Sequence, residues 1–271
     1  MRTTWIVGAL AGILLAGCGE PSAPTGVATN PPGPGGVSGT PGGTPSASGA
    51  SGVRTVLSTL GLNIHSAPMV SAPHLGTVAQ GVVLSVLDHT DQNGGWYKVQ
   101  GQTVTGWITG DPTLTAPGQF QQYQSTARNF SALYPQEWTF AEEPSDTLFH
   151  PLNGPQSLVV RTGAKTSDFG PGGATGYLGS GQTTVIVCGV TGNLNEYSRT
   201  GSAPVTPTPG TAGPLALLAQ IRLRLDATHA LALDYNYSAA SDLEVFNDVY
   251  NSMTFPYPQC QAPAPAAPTP T

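Results

Sequence analysis

The chain has 271 residues, enough for two domains, and only 9% of them are charged, against roughly a quarter in ordinary globular proteins. Ser, Thr, Gln, Asn and Gly must therefore supply most of the polar surface. The formal charge is −6, and the nine Lys and Arg residues, scattered from Arg2 to Arg224, form no patch that could follow a phosphate backbone, so nucleic acid is excluded as a partner.

The chain opens with Arg2 in a short polar start and an apolar run over 5–15. That run suits a signal-peptide core, because a membrane-spanning helix needs about 20 apolar residues. It ends in Leu15, Ala16, Gly17 and Cys18. This LAGC sequence resembles the lipobox of bacterial lipoproteins, whose cysteine is acylated and becomes the first residue of the mature protein. The resemblance implies a signal peptide over 1–17 and lipidation, palmitate included, at Cys18. The protein would then be held by lipid at the extracytoplasmic face of the cell membrane. Loss of Arg2 with the signal takes the charge from −6 to −7. The alternative is an ordinary secretory peptide cleaved nearby, with Cys18 incidental.

Residues 18–52 follow as a linker. Over 19–52 there are 10 Gly and 7 Pro, and Glu20 is the only charge. Such a segment cannot bury enough apolar surface to offset its ordering entropy, so disorder is expected.

The first folded unit is expected over 53–117. Short β-rich pieces at 61–65, 77–87, 96–100 and 103–108 are separated by Pro, Gly, Asp and Asn turns, which argues for a small all-β barrel. GLNIHSAP at 61–68, LGTVAQGVVLSVL at 75–87, GGWYKVQ at 94–100 and GWI at 106–108 resemble a bacterial SH3 domain, with motifs in the family's order. The resemblance implies an SH3-like barrel that engages cell-wall peptidoglycan or a peptide. His65 and Ala67 depart from the family's usual Arg and Gly.

Gly101-Gln102 reads as a two-residue type II′ turn. That register pairs Trp96 with Trp107 and Tyr97 with Gly106. Alternation puts Tyr97, Val99, Val104 and Ile108 on a core face, and Trp96, Lys98, Thr105 and Trp107 on the other. A cross-strand Trp96–Trp107 pair beside Lys98 would make a ligand platform, since aromatic faces stack on sugars and peptide planes. Alternatively, the loop 68–74 folds over both tryptophans and completes a second small core.

Residues 115–127 read as a Gln-rich connector, and the second unit is expected over 118–258. Strands at 128–134 and 137–141 are joined at Pro135-Gln136, and others lie at 157–161 and 183–190. Alternation in 221–225 and again from Leu231 to Tyr237 gives a hairpin turning at 226–229. Ser241 with Glu244 forms a capping box. A helix follows, with Leu243, Phe246, Val249, Tyr250 and Met253 in one apolar stripe, and Pro256 stops it. One helix after antiparallel strands implies an α+β sandwich. FSALYPQEWTF at 130–140 and FNDVYNSMTFP at 246–256 resemble the PsbP-like family of exported and membrane-associated proteins. Residues 170–181 and 198–214 read as flexible insertions, and 259–271 as a Pro/Ala-rich tail.

With Cys18 taken by lipid, Cys188 and Cys260 remain in an oxidising compartment that favours pairing. The alternative is one buried and one loose thiol. No catalytic constellation stands out. Serines lack a GxSxG elbow, and the glycine run at 170–181 lacks phosphate-loop order. His65, His74, His89, His150 and His229 lack helical metal-site spacing. Glu142, Glu143 and Asp146 read as a solvated loop. No metal and no cofactor are expected. The leading expectation is a non-catalytic envelope lipoprotein binding peptidoglycan or an envelope protein through Trp96, Lys98 and Trp107. The alternative is a cell-wall hydrolase or its accessory, with the SH3-like unit as targeting module.

Overall fold

A computed structural model describes residues 52–170, 176–200, 215–257 and 260. The expected signal peptide, the lipid site at Cys18, the linker up to residue 51 and the tail over 261–271 lie outside the described residues. So do 171–175 and 201–214 of the two expected insertions.

Seven strands build the first half: β1 (Gly52–Val56), β2 (Leu62–His65), β3 (His74–Val78), β4 (Val83–Thr90), β5 (Trp96–Gln100), β6 (Thr105–Thr109) and β7 (Thr115–Pro117). They form one antiparallel sheet in the order β3-β2-β6-β5-β4-β1-β7. The single strand expected over 77–87 is two strands with a turn between them. The expected barrel is not closed, because β3 and β7 do not pair among the described residues. The sheet nevertheless curls. Val78 of β3 and Val56 of β1 would stand about 24 Å apart in a flat sheet, yet both are buried in one core with Leu62, Ile64, Leu84, Val99 and Ile108.

In the second half β8 (Phe120–Ser125) and β9 (Phe130–Pro135) pair as a ribbon. A seven-stranded antiparallel sheet follows, from β10 (Trp138–Glu142), β11 (Asp146–Pro151), β12 (Ser157–Gly163), β13 (Tyr177–Val187), β14 (Val190–Arg199), β15 (Leu217–Arg224) and β16 (Ala230–Tyr237). Its order is β10-β11-β12-β16-β15-β14-β13. The helix α1 (Leu243–Asn251) covers one face. Leu158, Val160, Ile221, Leu223, Leu231 and Leu233 point into that layer, and the Tyr235 ring stacks on Phe246 at 5.2 Å. Alternation along β15 and β16 places these residues together, as periodicity requires.

Four local expectations are corrected. The Gln-rich connector contains β7 and β8. Phe120, Tyr123 and Ser125 of β8 are buried, and their uneven spacing hides a strand whose inward residues pack on separate neighbours, Phe120 on Leu57 and Ala116 and Tyr123 on Phe140 and Phe149. The segments 128–134 and 137–141 do not pair with each other: β9 joins β8, whereas β10 joins β11. The strand expected over 183–190 spans a hairpin tip, because Cys188 (φ 47) and Gly189 (φ 77) reverse the chain between Val187 and Val190. Finally, Asp242 rather than Ser241 organises the helix start, accepting the backbone N–H groups of Ser238 and Ala239. The helix ends at Asn251, before Pro256, as the chain turns back for Thr254 to bridge Ser131.

The two halves share a joint. Leu57 and Ala116 of the first half and Phe120 and Leu133 of the second form one buried cluster. Gln80 Nε2 donates to the carbonyls of Leu57 (2.9 Å) and Ser252 (2.7 Å), and Ser252 Oγ accepts the Leu133 amide at 2.8 Å. Each bond satisfies a backbone group that burial would otherwise leave unpaired.

Candidate functional site

The β5–β6 hairpin differs in register from the expected one. Gln100 pairs with Thr105, Lys98 with Trp107, and Trp96 with Thr109. Gly101–Val104 thus form a four-residue loop, closed by the Gly101 amide on the Val104 carbonyl at 2.9 Å. The slip is two residues, so the faces are as alternation requires but the Trp96–Trp107 pair is not formed.

The outer face carries a row running His65, Trp107, Lys98 and Asp88 across four strands. Trp96 stands in the next row, between Thr90 and Thr109. Trp107 and Lys98 are half-buried, whereas Trp96 is 3% exposed. The burial has a local cause and a distant one. Gly94 (φ 89) and Gly95 (φ 88) take a backbone conformation that side chains rarely adopt, and they turn the chain directly before Trp96. The indole N–H then donates to the Asn93 carbonyl at 3.3 Å. The His65 ring meets Trp96 edge-on at 5.6 Å. Above them the loop 66–73 is pinned by Ser66 N to Pro73 O (3.0 Å), by Asn93 Nδ2 to Pro68 O (3.0 Å) and by His65 Nδ1 to Ala72 O (3.0 Å). A carbonyl only accepts, so His65 carries its proton on Nδ1 and keeps Nε2 as an acceptor when neutral.

Beside this loop lies a cleft of about 380 Å³, in whose wall Leu60, Asn63, His65, Val70, Trp96 and Thr109 take part. Leu60 and Val70 are 66% and 80% exposed at its rim. No Lys, Arg, Asp or Glu lines it among the described residues. A wall of aromatic edges, one amide, the hydroxyls of Ser58 and Thr109 and exposed aliphatics suits an uncharged ligand with polar edges, such as a sugar ring or an extended peptide. Of the three residues expected to bind, Trp96 lines this cleft; Lys98 and Trp107 do not. Leu60 and Val70 were not singled out from sequence, because an isolated apolar residue in a loop has no pattern to mark it.

Cys188 and Cys260 are joined as a disulfide, with Cα atoms 4.7 Å apart. The bridge ties the β13–β14 hairpin tip to the segment after α1. His229 Nδ1 contacts Asp226 Oδ2 at 2.7 Å within the β15–β16 turn, where Asp226 also accepts the amides of Thr228 and His229. Glu142 accepts the Tyr123 hydroxyl at 2.6 Å, and the Glu143 amide bonds Asp146 O in the β10–β11 turn. Among the described residues, no three His, Cys, Asp or Glu side chains converge as metal ligands, and no helix is long and apolar enough to cross a membrane.

Residues 60–111 match the family model described as the bacterial SH3 domain. No curated protein matches the chain. Among solved structures, the chain is similar to cyanobacterial PsbP (CyanoP) from Synechocystis sp. PCC 6803, at 14% identity and a TM-score of 0.36, over 50% of this chain and 92% of that one.

Proposed function

We propose that this chain is a non-catalytic lipoprotein of the bacterial cell envelope, anchored through Cys18, whose SH3 domain binds peptidoglycan or an extended peptide in the cleft beside Trp96. The observation that carries the reading is the coincidence of the bacterial SH3 domain at 60–111 with an uncharged, aromatic-walled cleft in the same segment. The LAGC sequence ending at Cys18 supports the anchor, and the Gly/Pro-rich segment after it supports a tether. A tethered module held near the wall works at high effective concentration and needs only modest intrinsic affinity.

The test is a sedimentation assay of the chain on purified peptidoglycan, beside a Leu60→Asp, Val70→Asp double variant. Both positions are exposed, so the variant should keep its fold, which circular dichroism checks. Trp96→Ala is unsuitable, because removing a buried indole costs about 3–5 kcal/mol and confounds binding with unfolding. Co-sedimentation by the parent and its loss in the folded variant is the expected result. Equal sedimentation of both would reject the cleft, and sedimentation of neither would reject peptidoglycan and favour the peptide. Metabolic labelling with a palmitate analogue tests the anchor, with label expected on the parent and absent from Cys18→Ser.

A further inference from the structure

The second sheet has a face that α1 does not cover. β15 sends Ile221 and Leu223 towards the helix, so Leu218, Gln220 and Arg222 must face the other way, as must Asp234 and Asn236 of β16 and Val159 and Arg161 of β12. Such a face is ordinarily an exposed polar surface. Here it is a cleft of about 380 Å³, walled at one side by Phe169 and at its rim by Asp146.

Its floor is an unbalanced charge cluster. Asp234, 7% exposed, takes Arg222 Nη1 on Oδ1 at 2.6 Å and Gln220 Nε2 on the same oxygen at 3.0 Å, and Arg161 Nη2 bonds Oδ2. Two guanidiniums thus share one carboxylate. The side chains of Arg161 and Arg222 are 35% and 15% exposed, and the Nε of each is buried with no hydrogen-bond partner. Arg222 also lies 5.8 Å from the Phe169 ring centroid. Burial, and then the charge of Arg161, push Arg222 down to about 10, so the pair repel one another at the cleft floor. Asp146 is the next cross-strand neighbour of Arg161, but its carboxylate takes the Ser145 hydroxyl and lies outside ion-pair reach of the arginine.

We propose that this cleft binds a small organic monocarboxylate, held by Arg161 and Arg222, with its apolar body against Phe169, Val159 and Leu218. The charge count selects the ligand. The floor triad of Arg161, Arg222 and Asp234 carries one surplus positive charge, which a monoanion balances, whereas a phosphate dianion would exceed it and also stand against Asp146 at the rim. The guanidinium fork matches carboxylate geometry, and charge-assisted hydrogen bonds are the strong ones. The volume suits a ligand near the small end of ordinary sites.

The test is calorimetric titration of the full-length chain in uncharged detergent with benzoate, with benzamide as the neutral isostere and inorganic phosphate as the competing anion. Saturable binding of benzoate, and none of benzamide or phosphate, is expected. Arg161→Gln, chosen because Arg161 is the more exposed arginine and Asp234 keeps Arg222 and Gln220, should weaken benzoate about tenfold, as loss of one charged hydrogen bond predicts. Asp146→Asn should tighten benzoate by removing the like charge at the rim. If Arg161→Gln fails to fold by circular dichroism, Phe169→Ala serves instead, with weaker benzoate binding expected. Benzoate no better than benzamide, phosphate preferred to benzoate, or binding unchanged in a folded variant at Arg161 or Phe169 would each overturn the proposal.

Discussion

Asp248 is a carboxyl on α1 only 7% exposed, and burial pushes it up to about 7, with Arg54 pulling the other way and Glu244 adding to the rise. Arg54 reaches this region from β1. Its guanidinium donates to Thr115 Oγ1 and O and lies 4.2 Å from the Tyr97 ring centroid. The folded chain therefore keeps the Asp248 proton up to about pH 7, whereas the unfolded chain releases it near pH 4. Stability from this group falls as pH rises from about 4 to 7 and is level above. Asp248→Asn should remove that slope and raise stability at pH 8 by on the order of 4 kcal/mol, read from urea unfolding at pH 5 and pH 8. Asp226 behaves oppositely. The Thr228 amide first, then His229, hold its carboxyl down at about 2. Its stabilisation of the β15–β16 turn is present above about pH 4 and is lost as pH falls through 2. The amide resonances of Thr228 and His229 should shift together over that window.

Among the elements, β6 shows how a short motif constrains a sheet. A Cβ on Gly106 would stand 2.5 Å from Ile64 Cγ2 and 2.6 Å from His65 O. The second of these is backbone and cannot swing aside. Gly106→Ala should thus part β2 from β6 and cost about 1–3 kcal/mol, the usual range for overpacking. The loop 66–73 rests on β2, so the same variant should expose Trp96, and red-shifted tryptophan fluorescence with a lower melting temperature is the expected pair of signals. The GWI sequence at 106–108 was legible as a β-strand with Ile108 inward. The reason for its glycine was not, because the clash lies with a strand some forty residues earlier. The β5–β6 register departs from the two-residue turn for a related reason. A Gly-first pair fits a two-residue turn locally, but the bulge between Val86 and Asp88 in β4 and the pairing of β6 with β2 fix where β6 must lie.

On the scale of the molecule, the two halves unfold as one if the joint of Leu57, Ala116, Phe120 and Leu133 carries its expected weight. Leu133→Ala should cost about 2–5 kcal/mol and lower one shared transition, whether followed by fluorescence or by far-UV circular dichroism. Two separated transitions in the parent would contradict the joint. The Cys188–Cys260 bridge spans 72 residues, and a loop of that length gives about 4 kcal/mol in the chain-entropy model. Reduction should therefore lower the shared transition, yet the bridge touches no residue of the cleft beside Trp96, so peptidoglycan binding should persist in the reduced chain at low temperature, where it stays folded.

Composition and local pattern determined much of this protein. A near absence of basic clusters, the LAGC sequence at the start, the punctuated strands over 61–108, the alternating hairpin from Ile221 to Tyr237 and the striped helix after it are all decided by neighbours a few residues apart. Periods of 2 and 3.6 report burial directly. Tertiary structure decided the rest. Burial of Trp96 depends on a loop thirty residues earlier, β9 and β10 separate because each finds a better partner elsewhere, and Arg161, Arg222 and Asp234 meet only once three strands align. Contacts of that kind are set by register and by which edge pairs with which, and those are properties of the assembled sheet rather than of any stretch of sequence.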